Sequence, residues 1–215
     1  MSRMHKLFLA RHGETDWNRL RKLQGHTDTL LNNRGQLQAQ SLRELLSQHK
    51  PTQIFSSDLK RAHQTAQATF PNQKIVTTPL LREIHLGQAE GKSREQVQAD
   101  FGEQIWNDWS DCNFLKYQTR FPQGESRREG LDRLFQLLAI LKGEQPQTIF
   151  GFTHGLLLRS FAHWTQGLQE PKFTTPNCCV YEWDLPDLDL DFNTDRSFRP
   201  RLRQILLLPD EALSL

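Results

Sequence analysis

Four short apolar runs, each cut off by polar residues and each followed by a stretch of helical periodicity, constrain this chain more than its composition does. "HKLFLA" (5–10) reads as a buried strand, and "QIFSS" (53–57), "KIVTTP" (74–79) and "QTIFGF" (147–152) as further strands. Helical spacing runs from Gly35 to Lys50 through Leu37, Leu42, Leu45 and Leu46, with Pro51 as its stop. It returns over Leu59, Ala62, Ala66 and Phe70 behind a candidate cap at Asp58. Residues 125–142 carry Leu131, Leu134, Phe135, Leu138 and Leu141 on one side, and Gly155 to Trp164 read as a further helix. Strands alternating with helices build βαβ units, so the expected class is α/β: a three-layer αβα sandwich with a mostly parallel sheet. "NCCVYEWDL" (177–185) and "RLRQILLL" (201–208) have no helix between them and are expected to pair as a hairpin at one edge.

Residues 88–121 break the rhythm. They hold Phe101, Trp106, Trp109, Phe114, Tyr117 and Phe121 in a segment too long for an ordinary connection, so a helical, lid-like insertion is expected. Most of these rings are read as a satellite hydrophobic cluster. The chain of 215 residues otherwise suits one domain, 1–215. Lys plus Arg is 27 and Asp plus Glu 25, so the net charge of +2 leaves no footprint for nucleic acid. No run of about eighteen apolar residues marks a membrane span, and the expected location is the cytoplasm. Cys112, Cys178 and Cys179 are odd in number and lack metal-ligand spacing, so they are read as buried reduced thiols in a strand. An edge hairpin or an exposed lid could pair subunits, which leaves a homo-oligomer open.

In open α/β sheets ligands bind beyond the carboxyl ends of the strands. Arg11 and His12 follow the first run, Arg61 the second, Glu83 the third, and His154 and Gly155 the fourth. Two imidazoles, two guanidiniums and one carboxylate suit phosphoryl transfer. An imidazole can attack phosphorus, guanidiniums bind its oxygens, a carboxylic acid protonates the leaving oxygen, and helix N-termini add donors. No glycine-rich loop with a lysine and no metal-ligand spacing is present, so neither nucleoside-triphosphate chemistry nor a metal or other cofactor is expected.

"LARHGETDWN", "LQGHTDTLLNNRGQLQAQ", "SSDLKRAHQTA", "LREIHLGQAEG", "PQGES" and "FTHG" together resemble, in order and over nearly the whole chain, the histidine phosphatases, also called phosphoglycerate mutase-like proteins. The resemblance implies His12 as the nucleophile that becomes phosphohistidine. Arg11, Arg61 and His154 would hold the phosphoryl group, and Glu83 would be general acid and then base. It further implies Thr15, Asn18 and Gln24 along the pocket, with Gly13 and Gly155 letting backbone approach the anion. Glu90 is the competing carboxylate. His26, His63 and His85 are read as structural or rim residues, Arg19, Arg21 and Lys22 as either a solvated loop or a greeting for a second anionic group, and Glu125 and Ser126 as caps of the long helix or, as the resemblance implies, part of the pocket rim.

"LQGHTDTLLNNRG" and "IHLGQAEG" resemble the phosphatase branch. The expected function is therefore hydrolysis of a small phosphorylated substrate, with a mutase-type phosphotransferase or a non-catalytic phosphate-binding scaffold as alternatives. Ala89 stands where an aromatic residue is common, and Asn32, in place of a common Thr, can still cap a helix. Lys92, Arg94, Lys116 and Arg120 against Glu90, Glu95, Asp100, Glu103, Asp108 and Asp111 give the insertion a charge of −2. Together with its rings, that points to a nucleoside-like leaving group, similar to that of ribazole phosphatases.

Overall fold

The computed structural model describes residues 5–141, 147–166, 173–185 and 200–209. Six strands form one sheet in the order β3-β2-β4-β1-β5-β6. They are β1 (His5–Arg11), β2 (Gln53–Ser57), β3 (Val76–Thr78), β4 (Thr148–Thr153), β5 (Val180–Leu185) and β6 (Arg201–Leu206). The first four run parallel, and β5 and β6 are antiparallel at one edge, as the missing helix between them implied. The expected acidic turn between β5 and β6 lies outside the described residues.

Alternation along β1 explains the three layers. Leu7 and Leu9 point into one apolar cluster, and Phe8 and Ala10 into another. The first is covered by α6 (Arg127–Ile140) and α7 (Gly155–Gln166), and the second by α2 (Asn33–Leu45) and α3 (Lys60–Thr69). Phe8 faces Phe150 across the β1–β4 register, their rings stacked at 4.4 Å. Leu131, Leu134, Phe135, Leu138 and Leu141 are all buried, as the helical spacing predicts.

Several boundaries differ from expectation for identifiable reasons. Helix α2 starts at Asn33 because Asn32 Oδ1 accepts the Gly35 N–H at 2.8 Å, and it ends at Leu45, well before Pro51. Asp58 does not cap α3. Its carboxylate takes the Arg82 guanidinium bidentately at 2.7 and 2.6 Å, and the N-cap Leu59 has no side-chain bond. β3 is a three-residue edge strand, Val76–Thr78, with Val76 exposed, shorter than the expected 74–79. The three cysteines are buried free thiols, but Cys112 lies in the insertion and Cys178 and Cys179 precede β5. Ser126 caps α6, with Glu129 rather than Glu125 completing the capping box.

The insertion folds as α4 (Arg94–Phe101) and α5 (Glu103–Ser110), joined at Gly102, whose φ of +94° favours glycine. Phe101, Trp106, Trp109, Tyr117 and Phe121 join the main cluster under α6 and α7 rather than a separate one. Phe114's side chain lies outside the described residues. A single-turn helix, α1 (Asp16–Arg19), follows β1.

Candidate active site

Parallel register brings the polar strand ends together. Arg11 pairs with Thr153 between β1 and β4, Ser56 with Phe152 between β2 and β4, and the His12 N–H extends the ladder to Thr153 O at 3.0 Å. At this edge lies a cleft of about 220 Å³ whose lining includes Arg11, His12, Arg61, Glu83 and Gly155. His154 sits fully buried, its ring 5.2 Å from that of His12.

His12 Nδ1 lies 2.7 Å from Gly13 O. A carbonyl only accepts, so Nδ1 carries the proton and Nε2 keeps its lone pair. Burial first, then the charges of Arg61 and Arg11, hold the His12 pKa well below its ordinary 6.5. The ring is therefore neutral at physiological pH. The same causes, burial first and then Arg61 and His12, lower His154 well below 6.5. His154 Nε2 is 2.9 Å from Ser57 Oγ, and its Nδ1 has no partner.

Arg61 is fully buried. Nη1 donates to Thr27 O at 2.8 Å and Nη2 to Gly25 O at 2.7 Å, leaving Nε unpartnered. Burial lowers its pKa to about 10, which keeps it charged at neutral pH. Arg11 donates to Thr175 O, and its Nε is likewise without a partner. A Cβ on Gly155 would stand 3.0 Å from Arg11 Nε, so glycine there lets the guanidinium lie against the backbone.

Glu83 receives the start of α7. Leu156 N–H donates to Oε2 at 3.0 Å, Leu157 N–H to Oε1 at 2.9 Å and Ile84 N–H to Oε1 at 3.1 Å. The expectation that helix N-termini would offer donors to the anion is corrected here. The α7 donors go to Glu83, and the Lys60 N–H of α3 goes to Asp28 at 2.7 Å. Glu90, the competing carboxylate, binds the His26 and Thr27 N–H groups and the Thr27 hydroxyl, so it braces a loop. Glycine is favoured at Gly25, whose φ is +50° and where a Cβ would lie 2.9 Å from Leu86 N.

Asn18, Gln24 and Gly155 line the cleft; Thr15 and Gly13 do not. Thr15 is buried as the N-cap of α1, and its hydroxyl lies 3.0 Å from Gln24 Oε1. The Gly13 N–H donates to Thr65 Oγ1 at 3.0 Å, and its Cα packs so closely that a Cβ would meet Gly35 O at 2.4 Å. That glycine serves a close approach of β1 to α2, not to an anion. His26 donates to Glu83 O at 2.8 Å, a structural role as expected. Of the basic loop, Lys22 reaches the cleft, while Arg19 pairs with Asp16 at the surface.

Sequence reasoning missed Ser57, Asn177 and Arg159. Asn177 Nδ2 donates to His12 O at 3.0 Å, tying the segment before β5 to His12. Arg159 lines the cleft one helical turn beyond Gly155, a spacing that could have flagged it. Among the described side chains of the insertion, Trp109 alone lines the cleft. Its carboxylates face elsewhere: Asp100 pairs with Lys92 at 2.7 Å and Asp108 with Lys116 at 2.8 Å. The charge of −2 therefore does not describe the pocket.

Two imidazoles and two guanidiniums gather at the carboxyl ends of parallel strands in an α/β fold, a set chemically suited to an anion such as a phosphoryl group. The chain belongs to the histidine phosphatase superfamily, branch 1, whose model matches residues 7–189. It is 30% identical over 193 residues to a probable phosphoglycerate mutase GpmB of Serratia proteamaculans, covering 84% of this chain and 85% of that one. It is 34% identical over 149 residues to glucosyl-3-phosphoglycerate phosphatase of Mycobacterium tuberculosis, covering 67% and 64%. The mycobacterial glucosyl-3-phosphoglycerate phosphatase structure superposes with a TM-score of 0.76 at 27% identity, covering 93% and 97% of the two chains. Phosphoserine phosphatase of Entamoeba histolytica gives 0.73 at 27%, covering 94% and 96%.

Proposed function

We propose that the protein is a phosphomonoester hydrolase that works through a phosphohistidine at His12 on a small phosphorylated metabolite. One observation carries this reading: among the described residues Arg11 Nε, Arg61 Nε and His154 Nδ1 are buried nitrogens without partners, on side chains gathered with a neutral His12. An unpartnered buried polar atom costs about 1–3 kcal/mol, and three at one site fit the non-bridging oxygens of a phosphoryl group. His12 Nε2 attacks phosphorus while the ester P–O bond breaks and Glu83 protonates the leaving oxygen. Water then attacks the phosphohistidine, giving its proton to Glu83 as the N–P bond breaks. A mutase must shield the phosphohistidine from water; the exposed Lys22 at the cleft and the single lid ring that lines it support hydrolysis instead.

Rapid quenching with an aryl phosphate is expected to trap acid-labile, alkali-stable phosphate on the wild type and none on His12→Ala. Turnover is expected to survive chelation. Equal turnover in the variant refutes the nucleophile, and interconversion of phosphoglycerates exceeding hydrolysis refutes the hydrolase.

A further inference from the structure

Glu83 stands on neither a strand nor a helix. It follows β3 by way of a single 3₁₀ turn, Pro79–Leu81. The carbonyls that lead to it are held by side chains from three other parts of the chain. Leu81 O accepts the Thr153 hydroxyl at 2.8 Å, from the end of β4. Glu83 O accepts from His26 Nε2 at 2.8 Å. The others converge on Arg133 of α6. Its Nη1 lies 3.1 Å from Pro79 O and 3.2 Å from both Leu80 O and Arg82 O. Its Nη2 lies 3.2 Å from Arg82 O and 3.1 Å from Glu83 O. One planar guanidinium thus binds carbonyls along the whole segment from Pro79 to Glu83, which the single nitrogen of a lysine could not span.

Arg133 is itself fixed from its other edge. Glu125 Oε1 accepts from Nε at 3.2 Å and from Nη2, and the two side chains are only 19% and 18% exposed. The Glu125 N–H donates to His85 O at 2.9 Å, two residues beyond Glu83. The "PQGES" segment therefore braces the Glu83 loop through Glu125 and Arg133. Arg133 does not line the cleft, so it has no contact with a substrate there.

We propose that Arg133 is a positioning residue for Glu83: it sets where the carboxylate stands relative to the leaving oxygen and acts on the reaction only through that group. The inference rests on the hydrolase reading, in which Glu83 is the general acid. The carboxylate is bound by the start of α7 and the backbone by α6, so loss of Arg133 frees one of its two supports. A misplacement of about 1 Å at a reacting group costs about 10²-fold in rate.

Two esters test it in single turnovers: ethyl phosphate, whose alkoxide needs a proton to leave, and 4-nitrophenyl phosphate, whose phenolate does not. Arg133→Met is expected to slow phosphorylation about 10–100-fold with ethyl phosphate and less than about threefold with 4-nitrophenyl phosphate, with the half-saturating ester concentration little changed. Arg133→Lys keeps the charge and the stem without the fork. It is expected to fall between, and it carries the test if the methionine variant does not fold. In a Glu83→Gln background, Arg133→Met is expected to cost less than about threefold more with ethyl phosphate, because the acid it acts through is gone. Losses shared equally by the two esters overturn the positioning role. So do wild-type rates in every folded variant, or a fully multiplied loss in the Glu83→Gln background. Phosphohistidine on Arg133→Met without discrimination between the esters defeats the positioning role alone; no phosphohistidine on wild type with either ester defeats the hydrolase reading and the positioning role with it.

Discussion

Replacing Glu83 by Gln separates its chemical role from its structural one. Its Oε1 accepts from Leu157 and Ile84, and its Oε2 from Leu156. An amide has one oxygen. Oriented toward Leu157 and Ile84, it turns an NH₂ group toward the Leu156 N–H, which loses its acceptor. The expected structural cost is about 1–3 kcal/mol, a fall in Tm of roughly 2–10 °C for a chain of this size. The chemical cost is the loss of general acid catalysis, about 10²–10⁴-fold for esters with poor leaving groups. An aryl ester whose phenolate leaves without a proton hardly needs the acid, so its phosphorylation step should be nearly spared. Single-turnover measurements across aryl phosphates of graded leaving-group pKa give the discriminating result. In Glu83→Gln the rate should depend much more steeply on leaving-group pKa than in wild type. An equal loss across the series, together with the stability loss, would show that Glu83 only anchors α7 and that the proton comes from elsewhere.

Acidification should destabilise the fold in a defined window. His12 and His154 are held well below 6.5, and burial lowers His163 to about 4. Between those values and 6.5 the unfolded chain binds more protons, so stability is complete above pH 6.5 and falls below it, by up to about 1.4 kcal/mol per pH unit for each histidine. Urea unfolding from pH 7 to 4.5 measures the slope, which His163→Gln should reduce; stability that is flat over this range would contradict the burial of these rings. Gly13→Ala places a Cβ 2.4 Å from Gly35 O, and should cost about 1–3 kcal/mol in denaturant unfolding. Asn177→Ala removes a donor to His12 O, so kcat should fall several-fold with KM little changed, and Asn177→Asp, which keeps the shape but not the donor, should behave like Ala. A fall in KM-dependent binding alone would place Asn177 at the substrate instead.

The alternation of strands and helices was legible because period-two and period-3.6 patterns survive in the linear sequence. "QIFSS" matches β2 at both ends, and the apolar face of α6 matches residue for residue. His12 was legible as a candidate nucleophile through the motif around it. What failed was local chemistry that depends on distant partners. Asp58 has the side chain of an N-cap, but Arg82 from another loop outcompetes the helix for it. Gly13 looks like a glycine for an anion, but α2 presses on it. The lid's charge could be counted and still mislead, because salt bridges along its outer surface satisfy carboxylates that never face the cleft.

By itself the sequence determined that this chain would be an α/β sandwich and which strand ends would carry His12, Arg11, Arg61, Glu83 and His154, a set of groups suited to phosphoryl chemistry. Hydrophobic periodicity and residue type are properties of the chain and need no partner to be read. Only the tertiary structure decided which of those groups remain free to act. Hydrogen-bond capacity is finite, and folding spends most of it inside the protein. Gly13 O accepts a hydrogen bond from His12 Nδ1–H and leaves the Nε2 lone pair for the proposed attack, α7 takes the oxygens of Glu83, and Arg159 is left facing the cleft with its donors unclaimed among the described residues.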